Sequence, residues 1–311
     1  MKKLAQFIEN NFNLIFIVSV IAGILFPCSK WMQFALVPTL MLSLFLSFLE
    51  INFVEVVRCF KRLQRIILTI ILFMIVIPAM LWFLIKPFVP FEYALGFLIL
   101  ALVPPGVTTI TLANIAQGNK EWVLVLVITG SFIAPFSIPL MLKWLVGTQV
   151  TIDALVMFTK LTIMIVVPFI LAFYVKKYVG SLVDMTQWSY KAINISLVAI
   201  MTYIPISLYR EQIFSASIIN FWILLGTYVL FILFHIIGYS ISWGQPKADK
   251  ITTSLSKTYM NSTLAVVIAI EFFSGNTVLT IVFADIPWMT IFGPFVSVIH
   301  SNWFCKYVES S

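Results

Sequence analysis

Of 311 residues, 61% are hydrophobic and only 10% charged, and the mean hydropathy is +1.07. A soluble globular chain is about half apolar and about a quarter charged, so a soluble enzyme or soluble nucleic-acid binder is excluded and a polytopic membrane protein remains. The net charge of +7 therefore has to be read through its placement along the chain.

A span needs roughly 20 apolar residues. Ten such segments lie near 12–28, 31–50, 66–88, 91–118, 121–146, 152–176, 189–208, 217–243, 248–274 and 278–303. No linker is long enough for a soluble domain, so residues 1–311 form one integral membrane domain and any chemistry sits inside the bundle. Lys2-Lys3 ahead of an apolar run resembles a signal peptide, but no small-residue cleavage pattern follows. The run is therefore kept as the first span.

With both termini on one side, that side collects 14 of the 19 basic residues: Lys2, Lys3, Arg58, Lys61, Arg62, Arg65, Lys120, Lys176, Lys177, Lys191, Lys247, Lys250, Lys257 and Lys306. Lys30, Lys86, Lys143, Lys160 and Arg210 fall on the other. Cytoplasmic loops carry such an excess. The expectation is a bacterial inner or plasma membrane protein with cytoplasmic termini and no nucleic-acid partner. Oligomeric state is not legible from an apolar lipid-facing surface.

Five spans precede the Val146–Thr151 loop and five follow, so repeat one (about 12–146) and repeat two (about 152–303) have opposite orientation, as in inverted-repeat transporters. Within the fourth span stands Pro104-Pro105-Gly106, where two prolines remove donors and stop the helix. In the ninth, the polar run from Ser254 to Thr263 interrupts an apolar segment. Gly118-Asn119 and Gly275-Asn276 follow twelve residues after Gly106 and Thr263. Half-helices of about 12 residues rise about 18 Å, so two such breaks would meet near the midplane. Freed backbone groups are tolerated there only against protein or a wet cavity. The predicted fold is all-α: ten transmembrane helices in a 5+5 inverted repeat, helices four and nine unwound and crossing. Pro38, Pro78, Pro135, Pro139, Pro168, Pro205, Pro287 and Pro294 read as kinks.

The residues offer little to an enzyme. His235 and His300 have no partner at metal-ligand spacing, no catalytic or phosphate-binding motif is present, and Cys28, Cys59 and Cys305 are scattered small hydrophobes. No metal and no cofactor is expected. Polar groups gather instead around the breaks: Thr108, Thr109, Thr111 and Asn114 beyond the first, Ser256, Lys257, Asn261, Ser262 and Thr263 around the second, and Thr129 and Ser131 on the adjacent fifth span. A single Ser or Thr in a membrane usually bonds its own helix or a neighbour; the clustering points to a pocket. Substrate contacts are assigned to Thr108, Thr109, Thr111, Asn114, Lys257, Asn261, Ser262 and Thr263, and weak ion contacts to Thr109, Thr129, Ser131 and Ser256. Lys257 is equally compatible with an interfacial lysine and Asp285 with a loop-facing carboxylate, and Lys160, two turns into the sixth span, is a lesser candidate for lining an outward cavity. Glu271 and His235 read as interfacial and core groups.

The Pro78 span, the Pro-Gly break with Gly118-Asn119, Ala134-Pro135-Phe136-Ser137-Ile138-Pro139, Pro168 and Asn261-Ser262 together resemble the bile acid:sodium symporter superfamily. That resemblance implies a panel and a core domain, alternating access and organic-anion substrates, with sodium coupling in many members. It also implies an acid and two amides around a cation, where this chain has Ser256, Met260 and Phe73. A Ser-Asn pair is replaced by Thr109-Ile110. Neither Phe nor Met offers the hard oxygen that sodium prefers, and Lys257 adds like charge beside it. The expectation is a carrier of a small organic anion with degraded or absent sodium sites, Lys257 supplying positive charge in place of the ion. The alternatives are an efflux carrier of arsenite or auxin type, against which no cysteine stands near the fourth-span break, and a transporter-derived receptor that binds without turnover.

Overall fold

The computed structural model describes residues 2–51, 63–215, 218–273 and 275–301. Arg58, Cys59, Lys61, Arg62, Cys305 and Lys306 lie outside the described residues. The fold is all-helical, 85% helix without strands among the described residues. In chain order the helices are α1 (Lys2–Asn10), α2 (Phe12–Leu25), α3 (Leu36–Glu50), α4 (Leu63–Ile71), α5 (Ile77–Ile85), α6 (Phe91–Leu102), α7 (Thr108–Ile115) and α8 (Lys120–Val146). The second half holds α9 (Ala154–Thr186), α10 (Tyr190–Leu208), α11 (Ile218–Ile241), α12 (Lys247–Thr258), α13 (Ser262–Phe272), α14 (Asn276–Thr290) and α15 (Phe292–Ile299), with a single turn at Arg210–Ile213 after α10.

Among the described residues, five stretches are long and apolar enough to cross a membrane, or up to seven when bent pairs are joined. One of the five, Ala154–Leu208, contains both α9 and α10. The sixth segment runs well past residue 176, to Thr186, with a non-helical residue at Val179 (φ −130°, ψ 29°) marking a kink.

Most internal prolines leave their helices continuous, as Pro135 and Pro139 in α8 and Pro205 in α10 do. Two sites show more than a continuous helix, the first as the expected kink. The last segment bends by 42° between α14 and α15, between Pro287 and Pro294. Between α4 and α5 the chain widens into a π-turn, Leu72–Val76, just before Pro78. A π-turn inserts a residue into the helical register and recurs at functional sites. Side-chain caps set the starts of α8 and α9: Asn119 accepts from the Trp122 N–H, and Asp153 from those of Leu155 and Val156.

Packing joins helices from the two halves of the chain. α2 lies along α10, and α3 lies along α9 and α10. In the remainder, α6 packs on α14, α11 on α12, and α8 on α7 and α12. The second set holds the driest interior, with Leu98, Ile99, Leu100, Ala101, Ile268 and Ala269 fully buried.

Candidate functional site: two helix breaks over a crevice

The break after α6 follows from its prolines. Val103 is the last residue to donate into the helix, and Pro104 and Pro105 have no N–H to continue it. No proline interrupts α12; its end is held from outside. Gly106 donates to the Tyr259 carbonyl at 3.0 Å, and Asn261 donates to the Pro104 carbonyl at 2.8 Å. These bonds form a short antiparallel bridge between Pro105 and Met260. The Thr109 hydroxyl also donates to the Tyr259 carbonyl, at 2.8 Å. Each break thus supplies partners for the groups freed in the other, as a dry interior requires. Asn261 then caps α13, its side chain accepting from the Leu264 N–H and the Thr263 hydroxyl.

Two glycines at the breaks stand in close approach to their neighbours. A Cβ on Gly106 would sit 3.3 Å from the Tyr259 and Met260 carbonyl oxygens. One on Gly130 of α8 would meet Pro104 and Pro105 at 3.1 Å. Gly130, between the expected ion contacts Thr129 and Ser131, is the seat of the proline pair. Nothing in sequence spacing marked it.

Lys257 is 3% exposed. Its ammonium donates to the Phe73 carbonyl at 2.9 Å and the Ala101 carbonyl at 2.8 Å. It lies 4.5 Å from the Phe234 ring centroid and 5.6 Å from that of Phe73. Prolines explain why both carbonyls are available. In an α-helix the Ala101 oxygen would accept from residue 105, which is Pro105. In the π-turn the Ile77 N–H bonds back to Leu72. The next donor in that register, the one for Phe73, would be Pro78. Adjacent Ser256 is buried and its hydroxyl has no partner.

Beside the breaks lies a crevice of about 500 Å³. Its apolar walls include Phe12, Phe16, Ile110, Leu124, Val198 and Trp288; its polar groups include Thr108, Thr111, Asn194, Lys120 and Lys191. Glu9 and Glu50 share the mouth, Glu9 lying 3.6 Å from Lys191. A small deeper cavity of about 40 Å³ reaches Gly106, Asn261, Ser262 and Thr263. Asn194 lines both; it accepts from Ser43 and donates to Ser47 at 2.8 Å. Phe16 of α2 stacks on Trp288 of α14, with centroids 5.6 Å apart.

The expected site residues are therefore sorted. Thr108, Thr111, Asn261, Ser262 and Thr263 line the cavities. Thr109 is spent on the break. Asn114 is exposed and lines neither cavity, and Lys257 faces the proline-freed carbonyls instead of the crevice. Thr129 lines a separate apolar cavity against α4; Ser131 is buried. Asp285, buried, faces Ser262. Lys160 and Glu271 pair at 2.7 Å, joining α9 to α13. His235 is a core group, its ring bonded to Ser254 and stacked on Phe295. Asn194, Lys120, Lys191 and Trp288 entered the crevice without any sequence signal.

These features define a multi-pass, all-helical membrane protein whose interrupted helices face an internal crevice. Residues 10–292 match the SBF-like CPA transporter family, and the chain belongs to it, a family of transporters rather than of enzymes. It is 24% identical over 192 residues to the probable sodium/metabolite cotransporter BASS1, chloroplastic, of Oryza sativa subsp. japonica. That similarity covers 60% of this chain and 46% of the relative, about half its length. The resemblance to bile acid:sodium symporters stands on both matches.

Proposed function

We propose that this protein carries a small organic anion by alternating access, without sodium coupling. The observation that carries the reading is the crevice above the breaks. Its volume of about 500 Å³ lies in the range of roughly 300–1,000 Å³ typical of small-molecule sites. Apolar walls suit an organic body, and lysines on opposite sides, Lys120 and Lys191, suit an anionic group. Thr108, at the start of α7, lines this crevice, and Ser262, at the start of α13, lines the small cavity beside it. Half-helix N-termini carry partial positive charge and face anionic substrate groups in other transporters.

The ten-span architecture follows on the same reading. Counting α9 and α10 separately, joining α14 to α15, and taking α6 with α7 and α12 with α13 as broken spans gives ten crossings in two inverted halves. The α2–α10 and α3–α9 pairings exchange under that symmetry. α2, α3, α9 and α10 act as the panel and the rest as the core, with the breaks crossing between them. The crevice opens toward Lys120 and Lys191, the side with the basic excess, which makes this an inward-facing state with both termini cytoplasmic. Lys160–Glu271 closes the opposite side.

Sodium independence rests on the side chains present. The relative's name specifies sodium, but Ser256, Met260 and Phe73 offer one hydroxyl where an oxygen cage would be needed. The test is counterflow of labelled organic anions in proteoliposomes under matched sodium and choline gradients. Saturable flux equal in both is expected. Flux driven only by sodium overturns the coupling assignment; anion binding without flux overturns transport in favour of a receptor.

A further inference from the structure

We propose that Lys257 is a built-in cation: its ammonium fills a monovalent-cation site made by two proline-freed carbonyls, and removing it leaves a vacancy that accepts a small exogenous ammonium. The inference rests on the carrier reading only for its functional meaning; the geometry stands by itself.

Three observations converge. First, the two acceptors come from different helices, Phe73 from the π-turn and Ala101 from the end of α6. Each has lost its own helical donor to a proline, Pro78 and Pro105. A carbonyl left unpaired in a dry membrane interior is strongly unfavourable, so something must bridge this pair. Second, the Phe234 and Phe73 rings face the same ammonium, and desolvated aromatic faces favour an organic cation. Third, the side chains do not fit a metal ion. The Phe73 and Met260 side chains carry no oxygen, and Ser256 adds a single hydroxyl, buried without a partner. Two carbonyls and two rings suit an ammonium, with three donors and a soft shell. They do not suit sodium, which needs more hard oxygens.

Lys257 stands two residues before Tyr259, whose carbonyl receives Gly106 and Thr109. The ammonium thus ties the π-turn, the end of α6 and the end of α12 at one point beside both breaks. A tethered amine keeps its place whatever salt is in solution, whereas a dissolved cation makes the same contacts only when bound. The consequence is a constitutively assembled pair of breaks, with no ion concentration setting the population.

The test uses purified full-length protein in detergent, with thermal unfolding followed in chloride salts of sodium, potassium, ammonium, methylammonium or choline at equal ionic strength. The wild type is expected to melt at the same temperature in all five. Lys257→Ala is expected to melt several degrees lower and to recover at least half of that loss in ammonium or methylammonium, but not in choline. Lys257→Met, which fills the space without a charge, is expected to stay low in every salt. Failure of ammonium and methylammonium to raise the alanine variant overturns the proposal, and so does selective stabilisation of the wild type by sodium. If the alanine variant yields no folded protein, Pro78→Ala supplies the decisive arm. It returns an N–H to the Phe73 carbonyl, so the loss on Lys257→Met should be smaller in that background; equal losses overturn the proposal. No arm contains substrate, so these outcomes are separate from failure of the anion-flux assay.

Discussion

Asp249 provides the most demanding stability test, because its carboxylate ties α4 and the start of α8 to its own helix, α12. It is 2% exposed. It accepts from the Arg65 guanidinium and, at 2.7 Å, from the Asn119 amide. Arg65 also lies 4.2 Å over the Trp122 ring and reaches Ser242. Thr253, next in this cluster, accepts from Trp122 and Ser242 and donates to the Asp249 backbone oxygen. The perturbation is Asp249→Ala. Breaking a buried ion pair from one side costs about 3–5 kcal/mol. Arg65 remains partly exposed and stacked on Trp122, which moves the figure to the lower end. The orphaned Asn119 amide adds about 1 kcal/mol, so the expected loss is about 3–4 kcal/mol. Neutral hydrogen bonds in membrane proteins average only about 0.6 kcal/mol. Two of them would give barely 1, so the magnitude distinguishes a charged clamp from an ordinary polar contact. The assay is reversible unfolding in mixed detergent–SDS micelles, run as a double-mutant cycle with Arg65→Met. A coupling of about 2 kcal/mol or more is expected. Additivity within about 0.5 kcal/mol, the scatter of independent sites, would refute the assignment of Arg65 and Asp249 as the clamp.

Two further predictions concern the breaks and the closed side. Gly130→Val places methyls against Pro104 and Pro105 where even a Cβ has only 3.1 Å; overpacking of about 1–3 kcal/mol should lower the melting temperature and reduce flux, and wild-type values for both would count against Gly130 as the seat of the prolines. Lys160 and Glu271, paired at 2.7 Å but well solvated, should contribute under about 1 kcal/mol to stability. Even so, cross-linking Lys160→Cys to Glu271→Cys with a short bifunctional reagent should arrest flux, and undiminished transport after complete cross-linking would remove the pair from the closed side.

How much of this was legible in the sequence depends on the range of the interaction. The Pro104-Pro105-Gly106 break is a local covalent fact, since a missing N–H acts on its own helix, and it was readable directly. The interruption of the ninth span was readable from its polar run, although what holds it open is a partner 150 residues away, the Gly106 and Pro104 backbone. The site residues divide the same way. Thr108 and Ser262 follow the breaks in sequence and line the cavities for that reason. Asn114 lies on the same short helix but faces away, because the face of α7 toward the crevice is set by its seat on α8. Asn194 and Trp288 come from segments that read as featureless apolar helix; only tertiary packing carries them to the crevice. The π-turn before Pro78 likewise had no local signature beyond the proline, which was read as a kink.

Lys257 shows where the two kinds of information have to be joined. Sequence placed a charge beside a break and left open whether it faced substrate or the membrane interface. The structure gives it a third place, between carbonyls of two other helices, and the reason returns to sequence, because Pro78 and Pro105 are what empty those carbonyls. Each proline read by itself costs its helix a hydrogen bond. Read together with a lysine on a third helix, they form a donor–acceptor set that closes without water or ion. A rearrangement that separates α6, the π-turn and α12 would uncover two carbonyls and an ammonium in a dry interior, whereas motion of the core against α2, α3, α9 and α10 leaves that set intact. The proposed alternating access is therefore cheapest as movement of the proposed core as one body, with the breaks kept together and the crevice walls exchanging around them.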